Sequence, residues 1–206
     1  MKSLLVFLFA VLPFVLIGCG GEAAAGRSRT LTLTGSSTVA PLVAELGLRF
    51  EKANPGVRVD VQSGGSSRGI SDVRAGNADL GMASRALAPS ESDVHAHTIA
   101  WDGVGLVVHA SNAIDELDAA TVRAIYTGEL TDWEELGAQP GNVTVVHKAD
   151  GRATQAVFLK HFKLEARDVK ADVIAGENEQ TIKTVAGTRG AIGYVSIGTA
   201  EVEIAS

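Results

Sequence analysis

The chain has 206 residues, with 18 basic against 24 acidic side chains for a formal net charge of −6, and one cysteine. That length suffices for one domain with a proper core or for two small lobes. The acidic balance, with no basic run and no interleaving of aromatic and basic residues, argues against nucleic acid as a partner, and a single cysteine excludes an intramolecular disulfide.

In chain order, Lys2 comes first and precedes an apolar run from Leu4 to Ile17, interrupted only by Pro13. Charge, apolar core and then small residues form the pattern of an export signal. The run is about 14 residues long, short of the roughly 20 that cross a bilayer as a helix. Leu16-Ile17-Gly18-Cys19 is similar to a bacterial lipobox, which implies that Cys19 is acylated and becomes the first residue. The mature protein is then exported and lipid-anchored to a bacterial membrane, facing the periplasm or the exterior. Residues 20–29 lack large apolar side chains and suit a flexible tether.

Residues 30–33 form a β-rich run, and 40–53 carry a helical pattern with Leu42, Leu46 and Phe50 on one face and Val43 beside them. Asn54-Pro55-Gly56 stops that helix, and Val57, Val59 and Val61 alternate as a strand. A short helix ending near Gly76 and a strand over 79–83 follow, then a capping-box outline at 90–93. The spacing predicts a strand over 98–109 broken at Asp102-Gly103, and a helix capped by Asp118 and stopped by Gly128. Strands at 143–146, 173–174 and 191–195 alternate with helices at 151–162 and 178–186, and 201–206 alternates like a strand. Strands alternating with helices indicate an α/β protein.

Three loops share one design: each follows a strand, is rich in small or hydroxyl residues, and opens a helix. They are Gly35-Ser36-Ser37-Thr38, Gly64-Gly65-Ser66-Ser67-Arg68-Gly69 and Lys148-Ala149-Asp150-Gly151-Arg152-Ala153-Thr154. A helix N-terminus offers unpaired N–H groups and partial positive charge, so three such loops favour an anion site. Gly65-Ser66-Ser67-Arg68-Gly69 also fits a Gly-x-Ser-x-Gly nucleophile elbow, which keeps a secreted serine hydrolase using Ser67 as the alternative. Ile70 stands where a P-loop needs lysine, which argues against a Walker nucleotide site. His95-x-His97 suits a solvated helix face better than a metal site, and Trp101 and Trp133 suit core or lobe-edge packing. No cofactor and no metal are expected.

Gly35-Ser36-Ser37-Thr38-Val39-Ala40-Pro41, Gly64-Gly65-Ser66, Gly81-Met82-Ala83-Ser84-Arg85, Trp101-Asp102-Gly103, Ile125-Tyr126-Thr127-Gly128 and Ala191-Ile192-Gly193-Tyr194 occur in this order along the chain. Together they resemble the periplasmic phosphate-binding proteins of ABC transporters. The resemblance implies a two-lobed periplasmic-binding-protein fold of type II, each lobe a mixed sheet flanked by helices, with a two-strand hinge. By position, 30–103 with 196–206 form one lobe and 104–195 the other. The implied function is capture of inorganic phosphate, with sulfate, molybdate or tungstate behind it, by a monomer that delivers it to a transporter permease. A non-transporting sensor or surface attachment protein is a further alternative.

Carried over by position, Ser37, Thr38, Ser66, Ser84 and Arg85 line the anion from the first lobe. Lys148, Arg152, Ala153 and Thr154 do so from the second, and Ser36, Ser67, Arg68 and Asp102 are weaker candidates. This chain departs from the family pattern in having Lys148 for an arginine and Arg152 for a serine. Arg152 restores the bidentate fork that a lysine lacks. Arg85 stands where some relatives carry an acid that accepts the proton of hydrogen phosphate and so rejects sulfate, so this site either discriminates less by protonation or uses another acceptor such as Asp102. In the family the chain returns to the first lobe for several tens of residues, whereas eleven follow Val195 here. The expectation is therefore a truncated or split form, with Leu42, Leu46 and Phe50 short of packing partners, against a family form whose first lobe is small.

Overall fold

The computed structural model describes residues 29–204. The leader, Cys19 and the tether up to residue 28 lie outside the described residues. Two sheets result. In the first, β1 (Arg29–Gly35) lies between β2 (Val57–Ser63) and β3 (Leu80–Met82), and both pairings are parallel. Parallel neighbours need a crossover, and α1 (Ala40–Ala53) and α2 (Ser66–Arg74) supply it. The second sheet has the order β4-β7-β5-β6, from β4 (Val104–Val108), β5 (Thr144–Lys148), β6 (Val173–Ala175) and β7 (Ala191–Ser196). There β4 runs antiparallel to β7 while β5 is parallel to both β7 and β6. Helices α3 (Ala119–Thr127), α4 (Ala153–Phe162) and α5 (Asn178–Gly187) connect it, and α6 (Ile197–Ile204) follows β7.

Local signals explain the boundaries. The Asp118 carboxylate accepts from the Thr121 N–H at 2.7 Å at the start of α3, and Gly128 ends it at φ 76°. In the second lobe Phe158 stacks on Tyr194 with centroids 4.0 Å apart, Tyr126 packs against both, and Val122, Ile125 and Trp133 close the core. The first lobe buries a smaller cluster of Leu33, Val43 and Met82.

Several expectations need correction. On α1, Leu42, Leu46 and Phe50 are short of packing partners as expected, at 42%, 48% and 45% exposed, but the face turned to the sheet is that of Val43 and Gly47. Gly47 decides this: a Cβ there would lie 2.9 Å from Val59, so the helix settles on its glycine rather than on its leucines. The strand expected over 98–109 shrinks to Val104–Val108. The helix expected at 90–93 is a 3-10 turn at Pro89–Glu91, and His95 and His97 lie in no helix. The strand-like end is helical through Ile204, and the first sheet is parallel rather than mixed. Trp133 is buried and donates its indole N–H to the Gly190 carbonyl at 2.8 Å, but Trp101 is 93% exposed.

The chain enters and leaves the second sheet side by side, with Val104 opposite Ser196. Asp102 holds the two crossings together. Its carboxylate accepts from the Ser196 hydroxyl at 2.6 Å and from the Gly198 N–H at 3.2 Å, and the Ile197 N–H donates to the Gly103 carbonyl.

Candidate functional site

The first two loops are fastened to each other through Gly35. Its φ of 136° and a position where a Cβ would come within 2.2 Å of the Met82 carbonyl allow only glycine. The Gly35 carbonyl accepts from both the Gly64 and the Gly65 N–H at 2.8 Å. A chain of hydroxyls continues the link: Ser36 Oγ donates to Ser84 Oγ at 2.7 Å, and the Ser84 N–H donates to Ser66 Oγ at 3.0 Å. Ser36 Oγ also accepts from the Thr38 N–H. Ser36 and Ser66 are buried, and α1 and α2 begin beside them.

The third loop meets them from the other lobe. Arg152 caps α4, and Ala153 and Thr154 are buried in its first turn. The lobes touch where the Ser67 N–H donates to the Gly151 carbonyl at 3.3 Å. They touch again where Asn178, first residue of α5, donates from Nδ2 to Thr38 Oγ1 at 3.3 Å. Gly65, at φ 94°, lets Arg152 approach, since a Cβ there would stand 3.0 Å from Arg152 Cδ. The N-termini of α1, α2, α4 and α5 thus gather at one inter-lobe junction, each contributing partial positive charge.

Charge is concentrated on the second-lobe side. Arg152 Nη1 donates to Glu177 Oε1 at 2.6 Å. Lys148, fully buried, donates from Nζ to the Glu177 backbone carbonyl at 2.8 Å and to Thr181 Oγ1 at 2.6 Å. Burial drives its ammonium down to about 7; the Glu177 carboxylate opposes the drop and the Arg152 guanidinium adds to it. Beneath the loop, the Lys148 N–H donates to Tyr194 OH, whose oxygen lies 2.9 Å from His147 Nδ1.

The family model for the PBP superfamily domain matches residues 20–205. The chain belongs to the PBP superfamily. It is 27% identical to the phosphate-binding protein PstS of Bacillus subtilis, across 95% of this chain and 70% of that protein. It is 37% identical to phosphate-binding protein PstS 2 of Streptococcus pneumoniae, across 53% of this chain and 38% of that protein. A Clostridium perfringens protein described as a phosphate ABC transporter substrate-binding protein, solved with bound phosphate, superposes with a TM-score of 0.76 at 30% identity. That superposition covers 82% of this chain and 71% of the other.

In this PBP superfamily member, Ser36, Thr38, Ser66, Ser67, Ser84, Arg152, Ala153 and Thr154 are brought to the junction, and Ser37 lies half-buried in the first loop. Other candidates are placed elsewhere. Arg68 turns along its own helix to Asp72 at 3.2 Å, and to Gln62 and Ser63. Asp102 is held in the crossing. The Arg85 fork is taken by Glu91 at 2.7 and 2.8 Å, and only a 3.5 Å contact to Ser67 Oγ reaches the junction. Those bonds from Arg85, then the Ala88 N–H, hold the Glu91 carboxyl down at about 2. Lys148 lies below the loop, its ammonium turned to the first turn of α5. The residues missed from sequence are Glu177, Asn178 and Thr181. Gly176-Glu177-Asn178 also links a strand to a helix, but it lacks the serines that marked the other loops.

Proposed function

We propose that this chain captures a small tetrahedral oxyanion, inorganic phosphate first, between its lobes and delivers it to an ABC transporter. The carrying observation is the junction itself, where helix N-termini from both lobes meet beside Arg152. Thr38 and Ser66 donate from the first lobe, and Arg152, Ala153 and Thr154 from the second. The anion takes over donors that now bridge loop to loop, such as the Ser67 N–H on the Gly151 carbonyl. The names of the relatives and the phosphate-bound Clostridium structure support phosphate as the ligand. The lobes are 30–103 with 196–206, and 104–195, with β4 and β7 as the hinge. The leader and Cys19 support an exported, lipid-anchored protein, which acts as a monomer in this reading.

Binding rather than catalysis is further supported by Ser67. The hydrogen-bond neighbour of its hydroxyl is the Arg85 guanidinium, which has no lone pair to act as a base.

The test is calorimetric titration of the purified protein with phosphate, sulfate and molybdate. Phosphate is expected to bind. Arg152→Ala removes the guanidinium that pairs with the anion enclosed between the lobes, at a cost of about 2–5 kcal/mol, roughly 30-fold to several-thousand-fold in affinity. Arg68→Ala, whose guanidinium is bonded to Asp72, Ser63 and Gln62, leaves affinity unchanged. Absence of binding by all three anions, or equal affinity for wild type and Arg152→Ala, refutes the reading.

A further inference from the structure

Asn178 is the first residue of α5 and is 2% exposed. A polar side chain at a helix start ordinarily bonds its own backbone or faces water. This one reaches out of its helix. Its Nδ2 donates to Thr38 Oγ1 in the first loop at 3.3 Å and to Thr199 Oγ1 in α6 at 3.3 Å. An amide nitrogen carries two hydrogens, so both bonds form at once. The Thr199 end reaches the clasped crossings: the Thr199 N–H donates to Ser196 Oγ at 3.4 Å, and Ser196 Oγ donates to Asp102 Oδ2 at 2.6 Å. From below, Lys148 Nζ holds the carbonyl of Glu177, the residue before Asn178. Hydrogen bonds thus run from the crossings to the loop of Thr38, with Asn178 as the link between them.

We propose that Asn178 is a positioning residue for anion capture: it turns the Thr38 hydroxyl towards the anion and ties that loop to the crossings. This deepens, and rests on, the oxyanion reading given above. A hydroxyl has one O–H and two lone pairs. Asn178 fills a lone pair of Thr38, so the Thr38 hydrogen points away from Asn178. Among the described residues Thr38 Oγ1 has no other partner, which leaves its hydrogen for the anion. Accepting a bond also strengthens the hydroxyl as a donor, because hydrogen bonds in a chain polarise one another. Thr199, at the far end, fixes the amide so that it stays within reach of Thr38. Asn178 therefore acts on the donor rather than on the anion, and its contribution exists only while the Thr38 hydroxyl does.

The test is a double-mutant cycle read by calorimetric titration with inorganic phosphate at pH 7, with thermal melting to confirm that each variant folds. Asn178→Ala is expected to weaken phosphate binding about 5- to 10-fold, the value of one net hydrogen bond. In a Thr38→Val background, which keeps the shape and lacks the hydroxyl, the same change costs less than about twofold, since the two residues act as a unit. Thr199→Val, remote from the anion, is expected to weaken phosphate about threefold while Asn178 is present and to have no effect in Asn178→Ala. This second cycle decides the matter where Thr38→Val binds too weakly to titrate, and Thr199→Val alone decides it where Asn178→Ala does not fold. Equal losses from Asn178→Ala in both backgrounds, no loss at all, or an unaltered affinity in Thr199→Val means that Asn178 only starts α5 and overturns the proposal. Phosphate binding by wild type leaves the oxyanion reading standing in each of those cases. Wild type that binds no phosphate overturns both.

Discussion

Lys148 is a cation buried where helix N-termini already make the surroundings positive. Its ammonium falls from an ordinary 10.5 to about 7, with burial as the main cause. Between those values the unfolded chain holds a proton that the folded chain lacks. Stability therefore rises with pH from about 7 towards 10, by up to about 1.4 kcal/mol per pH unit for one proton. Below about 7 both states are protonated and this slope vanishes. His147 is lowered from 6.5, again chiefly by burial, and so acts below that window, while the raised phenols of Tyr126 and Tyr194 act above it. Urea midpoints at pH 7 and pH 9 are expected to rise for wild type and to stay nearly level for Lys148→Met. The same rise in both proteins contradicts the assignment. A bound anion reverses the effect locally, because its negative charge favours the ammonium form, so binding near pH 8 draws a proton onto Lys148.

At the scale of elements, the two lobes bury phenylalanine very differently. Phe158 of α4 is fully buried on Tyr194, whereas Phe50 of α1 is 45% exposed. Phe158→Ala is expected to cost about 3–5 kcal/mol, and Phe50→Ala within about 1 kcal/mol, both from urea unfolding; equal losses contradict the packing described. The alternation of strand and helix was readable from the sequence because each boundary carries its own chemistry: Asp118 as cap, Gly128 as stop, Asn54-Pro55-Gly56 as break. The three small-residue loops that open helices were readable for the same reason. The face of α1 was not, because apolar periodicity marks leucines and Phe50 and is blind to a glycine chosen for close approach. The end of the chain was misread because alternation over six residues fits a strand as well as a helix. In the site, Arg68 and Arg152 look alike as loop arginines. Only their neighbours, Asp72 along the same helix and Glu177 across the loop, separate them. Glu177 itself escaped because a glutamate is an improbable member of an anion site until its pairing with Arg152 is seen.

For the whole molecule, the two sheets are joined by crossings that run side by side, clasped by Asp102, and the loops that bear donors lie where the lobes meet. That arrangement lets two half-sites, each unable to surround an anion, complete one another. The anion-capture reading therefore depends on both lobes touching the same ion. The most direct test is a crystal structure of the protein grown with phosphate. The expected result is one tetrahedral ion at the junction, within hydrogen-bond distance of Thr38 and Ser66 from one lobe and of Arg152 and Thr154 from the other. An ion held by a single lobe, or no ion at the junction at saturating phosphate, contradicts it.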